Sequence, residues 1–261
     1  FDNGMEALAG RLAELESAVV CANYDFSATP LADYVKPYTI LKRGGLKIGI
    51  IGVLANVADV VDSRIAAQLQ FQDPAACVQK YTDYLKTEKK CDLVICLSHL
   101  GFDGEPYTDV ELASQTRNVD VIVGGHAHVV QPVALLESTV DPEQKTVCLY
   151  SMGNAVSNQR LGNLQSISTA HTEDGILFTV TFEKYSDGTV YLAGAEALPT
   201  WVNMHQNQNG KTEYNILPLD YDRVEEWTQM FDIGETTLNA AKHSHTRTMD
   251  IVGEGLTECQ T

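Results

Sequence analysis

Two short runs hold the residues best suited to chemistry. "ICLSHLG" places His99, and "VIVGGHAHVV" places His126 and His128 one residue apart. Each follows an apolar, β-branched stretch, "CDLVICLS" or "VDVIVGG", that reads as a buried strand. Neutral imidazole is a common metal ligand. Along an extended backbone, residues i and i+2 lie about 6.6 Å apart with side chains on the same side. That reach suits two ions about 3.5–4 Å apart, each taking one histidine. Gly124 and Gly125 lack Cβ atoms, so the backbone can turn sharply just before the pair. Histidines past strand ends are also ordinary surface residues, and the spacing alone does not choose between the readings. His171, His205, His243 and His245 read as surface residues.

The elements that must position these histidines follow from periodicity and turn chemistry. Residues 4–16 carry Met5, Leu8, Leu12 and Leu15 at helical spacing. "AVVCAN" reads as a short strand, 24–38 as a surface loop, and "YTILKRGGLKIGIIGVL" as a hairpin around Gly44-Gly45. Asp73-Pro74 opens a helix to about Lys89, because aspartate caps and proline is tolerated at the first helical position. "DVELASQT" is a short helix between the two histidine-bearing strands. This alternation predicts α/β with a largely parallel sheet, whose ligands bind at the carboxyl ends of the strands. After His128 the runs "PVALLES", "KTVCLYS", "GILFTVTFEKY" and "TVYLAGAEAL" predict an antiparallel half. The tail is polar, with helical segments around Val224–Met230 and Thr236–His243. Residues 1–200 form the expected main domain and 201–261 a C-terminal extension.

The chain has 261 residues, 44% hydrophobic, and a formal net charge of -17. The apolar fraction suffices for a real core. The charge argues against nucleic acid, which is bound by basic surfaces, and leaves an anionic substrate in need of local positive charge such as bound metal. No apolar run reaches the roughly 18 residues of a membrane span. "FDNGME" has neither the basic start nor the apolar stretch of a signal peptide. The six cysteines form no C-x-x-C pair; Cys96 and Cys148 lie in apolar runs and read as buried thiols, which leaves the compartment undecided. There is neither a P-loop nor a G-x-S-x-G elbow.

"LSHLG" followed by "VDVIVGGHAH" resembles the late motifs of calcineurin-like metallophosphoesterases, especially their 5′-nucleotidase branch. The resemblance runs to about residue 130 through "FDNGMEAL", "CANYDF" and "LKIGIIGVL". Beyond His128, "HVVQP", "LYSMGNAVSNQR", "TEDGILFTVTFEK" and "LPTWV" resemble a neighbouring branch, the poly-γ-glutamate capsule-synthesis family. The resemblance implies an α/β fold, an αββα sandwich with mixed sheets. It also implies two divalent ions (Mn, Zn, Fe or Mg), with His99 and His126 on one and His128 on the other. The reaction would be hydrolysis of a small phosphorylated substrate, a nucleotide among the candidates.

The family's early motifs, D-x-H, G-D and G-N-H-E, are not in this sequence, and "FDNG" is the run that normally follows the last of them. The expectation is therefore a chain lacking the opening strands, with its metal site completed by upstream residues and no activity by itself. Asp2 matches the aspartate that orients the family's acid histidine; a helix-start acid is the plain alternative. Asn154, in "YSMGN", is expected at the substrate cleft, against the plain reading of a turn asparagine. Both branches act mostly outside the cytoplasm, which implies a periplasmic or secreted protein with a lipid anchor as one option. The alternative function is a non-catalytic module of the same fold, or a capsule-synthesis-associated protein.

Overall fold

The computed structural model describes residues 1, 3–58, 60–102, 104, 106–161 and 169–260. Asp2, Asp103 and Glu105 lie outside the described residues. The chain divides into two units, Phe1–Gly124 with Leu136–Cys148 and Gly125–Leu135 with Leu149–Thr261.

The first unit opens with α1 (Met5–Leu12), β1 (Val19–Val20), β2 (Tyr24–Asp25) and β3 (Val35–Lys36). The expected loop at 24–38 thus contains two short strands: β3 pairs in parallel with β1, and β2 pairs antiparallel with a later strand, β6 (Gln70–Phe71). The hairpin forms as expected from β4 (Tyr38–Arg43) and β5 (Leu46–Leu54). Gly44 and Gly45 turn it at φ 54° and 79°, the left-handed pair that matches the twist of the flanking strands. After α2 (Ser63–Ala66) comes α3 (Pro74–Thr87), whose Asp73 side chain accepts from the Ala76 N–H at 2.8 Å. Asp73→Ala should therefore cost about 1 kcal/mol of stability, read from the shift in urea midpoint.

The next elements are β7 (Leu93–His99), α4 (Asp109–Gln115), β8 (Val121–Gly124), β9 (Val133–Glu137) and β10 (Lys145–Leu149). They complete a six-stranded sheet of order β4-β5-β7-β8-β10-β9. β5, β7 and β8 run parallel, and β4 is antiparallel to β5. Ile51, Val94, Cys96 and Ile122 have no exposed surface, as expected of strands covered on both faces. β9 and β10 join this sheet rather than opening the antiparallel half. In β10 the four residues from Thr146 to Leu149 are all buried, the pattern of an interior strand.

The second unit holds the antiparallel sheet of β11 (Asp174–Lys184), β12 (Val190–Gln206) and β13 (Thr212–Pro218). Its core joins Trp201, Leu217 and Leu219 to Trp227 of α5 (Val224–Met230) and Ala241 of α6 (Glu235–Glu258). α6 is 24 residues long, where periodicity predicted a helix only to His243. The reason is chemical. Its buried positions beyond Ala241 are Ser244, Thr248, Val252, Gly255 and Leu256, helically spaced but mostly small or polar. Ser244 donates to the Asp174 carboxylate at 2.6 Å, and Arg247 pairs with the same carboxylate. Part of this helix is docked by a polar network, which a hydrophobic count does not register. No helix among the described residues is long and apolar enough to cross a membrane.

Candidate metal centre

His99 is the last residue of β7, half-buried, and sits opposite Leu54 of β5. Its carbonyl accepts from the Ala55 N–H at 3.3 Å. On the other side Ser98 pairs with Gly124, so β7 and β8 end level. This is the carboxyl edge of a parallel sheet, where open α/β folds place their ligands.

The segment around His99 is tied to α4. Ser98 Oγ donates to the Asp109 carboxylate and accepts from the Leu100 N–H, and the Asp109 N–H donates to the Gly101 carbonyl. Asp109 has no exposed surface, and its Oδ2 has no hydrogen-bond partner among the described residues. Burial raises its carboxyl to about 6, partly opposed by the Ser98 hydrogen bond. Sequence reasoning did not single out Asp109 or Ser98. The available signal was an acid just after Thr108, which reads as an ordinary first-turn acid of a helix whose capping box is formed by Thr108 and Glu111.

The raised carboxyl has a pH signature. Between its usual value of 3.8 and about 6, the folded chain keeps a proton that the unfolded chain has lost. Its contribution to stability therefore falls as pH rises through that window and stays low above it. Two units correspond to about 3 kcal/mol, as an upper order of magnitude. In urea unfolding, going from pH 4.5 to 7.5, which takes in most of that window, wild type should lose stability relative to Asp109→Asn by up to about 2 kcal/mol. A difference independent of pH would mean that Asp109 titrates normally.

His126 and His128 belong to the second unit and are exposed. Their ring centroids lie 6.4 Å apart with an interplanar angle of 69°. His128 has φ 64°, a left-handed conformation that a β-carbon disfavours. It is held there in part by Asn154, whose Nδ2 donates to the His128 carbonyl and to the Thr172 carbonyl, each at 2.9 Å. The bend that presents Asn154 requires Gly153, at φ 73°, where a β-carbon would meet the Asp174 carbonyl oxygen at 2.4 Å. Asn154 thus braces the histidine pair from the neighbouring segment.

The described residues do not by themselves fit a complete metal site. Among them no group of three or more His, Cys, Asp or Glu side chains is arranged to hold an ion. A tetrahedral ion needs four donors. Two exposed imidazoles on one short loop supply part of a donor set, and no reaction step can be built on them alone.

The family model for bacterial capsule synthesis protein PGA_cap matches residues 2–159. The chain belongs to the PGA_cap family. That match begins ahead of His99 and runs past Asn154, so the PGA_cap likeness and the nucleotidase likeness overlap. Among curated proteins, the PGA_cap chain is 38% identical over 131 residues to an apyrase of Tabanus yao, covering 49% of this chain and 22% of the relative. It is 29% identical over 248 residues to a 5′-nucleotidase-related protein of Glossina morsitans morsitans, covering 87% of this chain and 42% of the relative. The chain thus spans less than half the length of these relatives. Its fold matches the Haemophilus influenzae NAD nucleotidase at TM-score 0.58 and 19% identity, covering 97% of this chain and 45% of that one. It matches a Bacillus subtilis calcineurin-like phosphoesterase at TM-score 0.52 and 17% identity, covering 95% and 67%. The mixed parallel and antiparallel strand pairings are those of the calcineurin-like phosphoesterase fold.

Proposed function

We propose that this PGA_cap-family chain is part of a metal-dependent phosphoester hydrolase, a 5′-nucleotidase-like phosphomonoesterase with two divalent ions. The observation that carries the reading is the braced imidazole pair, rings 6.4 Å apart, directly after a buried strand. Curated relatives named apyrase and 5′-nucleotidase support the substrate class, a small phosphorylated molecule such as a nucleotide. In this reading His99 and His126 serve one ion and His128 the other, and the remaining ligands come from residues outside the described set. Asp2 orients an acid histidine, and Asn154 lines the substrate cleft while holding the His128 loop. By resemblance, the protein is exported to the periplasm or beyond.

The test compares this chain with one extended through D-x-H, G-D and G-N-H-E motifs, in metal analysis and in phosphate release from an aryl phosphate and from a nucleoside monophosphate, with Mn²⁺ or Zn²⁺. Metal-dependent release that chelation abolishes supports the reading; full activity in chelator overturns it. The chain expressed by itself should be inactive, because its described donors fall short of one ion's needs. That shortfall also favours a second reading, a non-catalytic module of the same fold. A protein extended through D-x-H, G-D and G-N-H-E motifs that still binds no metal would decide for the module.

A further inference from the structure

Away from the histidine loop, the second unit has a cavity of about 470 Å³. It lies where the β12–β13 hairpin meets the turn joining α5 and α6. The strand face that forms its floor begins as core. Trp201 and its cross-strand partner Leu217 pack against Trp227. Two residues further from that core the same face carries Asn203 opposite Asn215, and then His205 opposite Glu213. The apolar face therefore turns into a row of carboxamides and an imidazole just where the cavity opens.

Among these polar groups one atom is left unsatisfied. Asn203 is only 6% exposed and lines the cavity. His205 Nε2 stands 3.8 Å from Glu213 Oε2, but its Nδ1 is buried with no hydrogen-bond partner among the described residues. By contrast, Gln206 donates to Thr212 at 2.8 Å and Asn207 donates to Glu213 at 2.7 Å, so the amides nearer the hairpin turn serve the hairpin itself. A buried polar group without a partner is destabilising, typically by 1–3 kcal/mol. Its persistence at a cavity wall points to a partner supplied from outside the chain.

The lining specifies the chemistry of that partner. A carboxamide offers donors and an acceptor together, which matches a hydroxyl group that does both. The described lining residues include no lysine or arginine, and Asp232 adds a negative charge, so an anion is disfavoured. Phe231 and Ile233 give the opposite wall an apolar surface suited to a C–H face. We propose that this cavity binds a neutral sugar, with His205 Nδ1, Asn203 and Asn215 bonding its hydroxyls and Phe231 packing on the ring. The site is separate from the phosphoesterase reading, since His99, His126, His128 and Asn154 are not among its lining residues. An open cavity and a ligand of about a dozen heavy atoms imply a dissociation constant near about 1 mM.

Saturation-transfer NMR on the purified protein can detect binding of that strength. The probes are methyl glucoside, methyl galactoside and N-acetylglucosamine, with glucuronate and inorganic phosphate as anionic controls. The expected result is saturable transfer to the ring protons of at least one neutral sugar, and none to glucuronate. Asn215→Ala, at a half-buried position that folding tolerates better than Asn203, should weaken binding about tenfold, the loss of one or two hydrogen bonds. The Asn203→Ser variant should weaken it as well, and its circular dichroism separates lost binding from lost fold. Absence of transfer to all three neutral sugars overturns the proposal, and so does binding unaffected by Asn215→Ala. Equal transfer to glucuronate would refute the neutral-ligand assignment.

Discussion

In a protein extended through the D-x-H, G-D and G-N-H-E motifs, replacing His126 or His128 by alanine is expected to lower phosphate release at least about 100-fold and to remove most of the bound metal. Each substitution deletes a donor from an ion, and an ion's charge stabilisation is worth several kcal/mol, at tenfold per 1.36 kcal/mol. Asn154→Ala should do less. It removes hydrogen bonds of 2.9 Å to the His128 and Thr172 carbonyls, which releases the strained loop without deleting a ligand. About tenfold is expected from one such bond, with metal still bound at raised concentrations. His243→Ala, on the exposed side of α6, serves as the control and should change neither quantity. Metal content and kcat/KM measured together separate the cases. Wild-type metal occupancy in His126→Ala would remove the histidine from the ligand set and, with it, the main support for the hydrolase reading.

The largest stability effect is expected at Gly255. A β-carbon there would sit 1.7 Å from the Val133 carbonyl oxygen and 2.4 Å from its carbon. Both atoms are backbone, so the clash cannot be relieved by turning a side chain. Overpacking of this kind costs about 3 kcal/mol or more. The better helix propensity of alanine returns only about 1 kcal/mol, so Gly255→Ala should be net destabilising by at least about 2 kcal/mol. Gly253, two residues earlier on the same helix, has nothing within 4 Å of its β-carbon position. Gly253→Ala should therefore be neutral or stabilising by up to about 1 kcal/mol. Opposite signs in chemical denaturation are the expected outcome; equal effects would mean that α6 does not pack on Val133 as described.

The same contrast separates what was legible in the chain from what was not. Local patterns gave reliable elements. Asp73-Pro74 predicted the start of α3, Gly44-Gly45 the hairpin, and the runs before His99 and before Gly125 the strands β7 and β8. These depend on neighbours within a few residues, so their physics is present in any short window. The placing of His99 at the end of β7, and of His126 and His128 just after β8, was legible for a similar reason, while their part in a metal site belongs to the proposal. Other features were not local. β10 reads as a generic strand, and only pairing with a strand more than twenty residues earlier places it inside the first sheet. The length of α6 depended on Asp174, which pairs with Arg247 across 73 positions. The burial of Asp109 and of Asn203 likewise exists only once distant segments cover them, because desolvation is a property of the assembled surroundings and not of the residue. Periodicity and turn residues determined which segments became strands and helices. Tertiary packing decided which sheet each strand joined, and which polar side chains were left buried without partners.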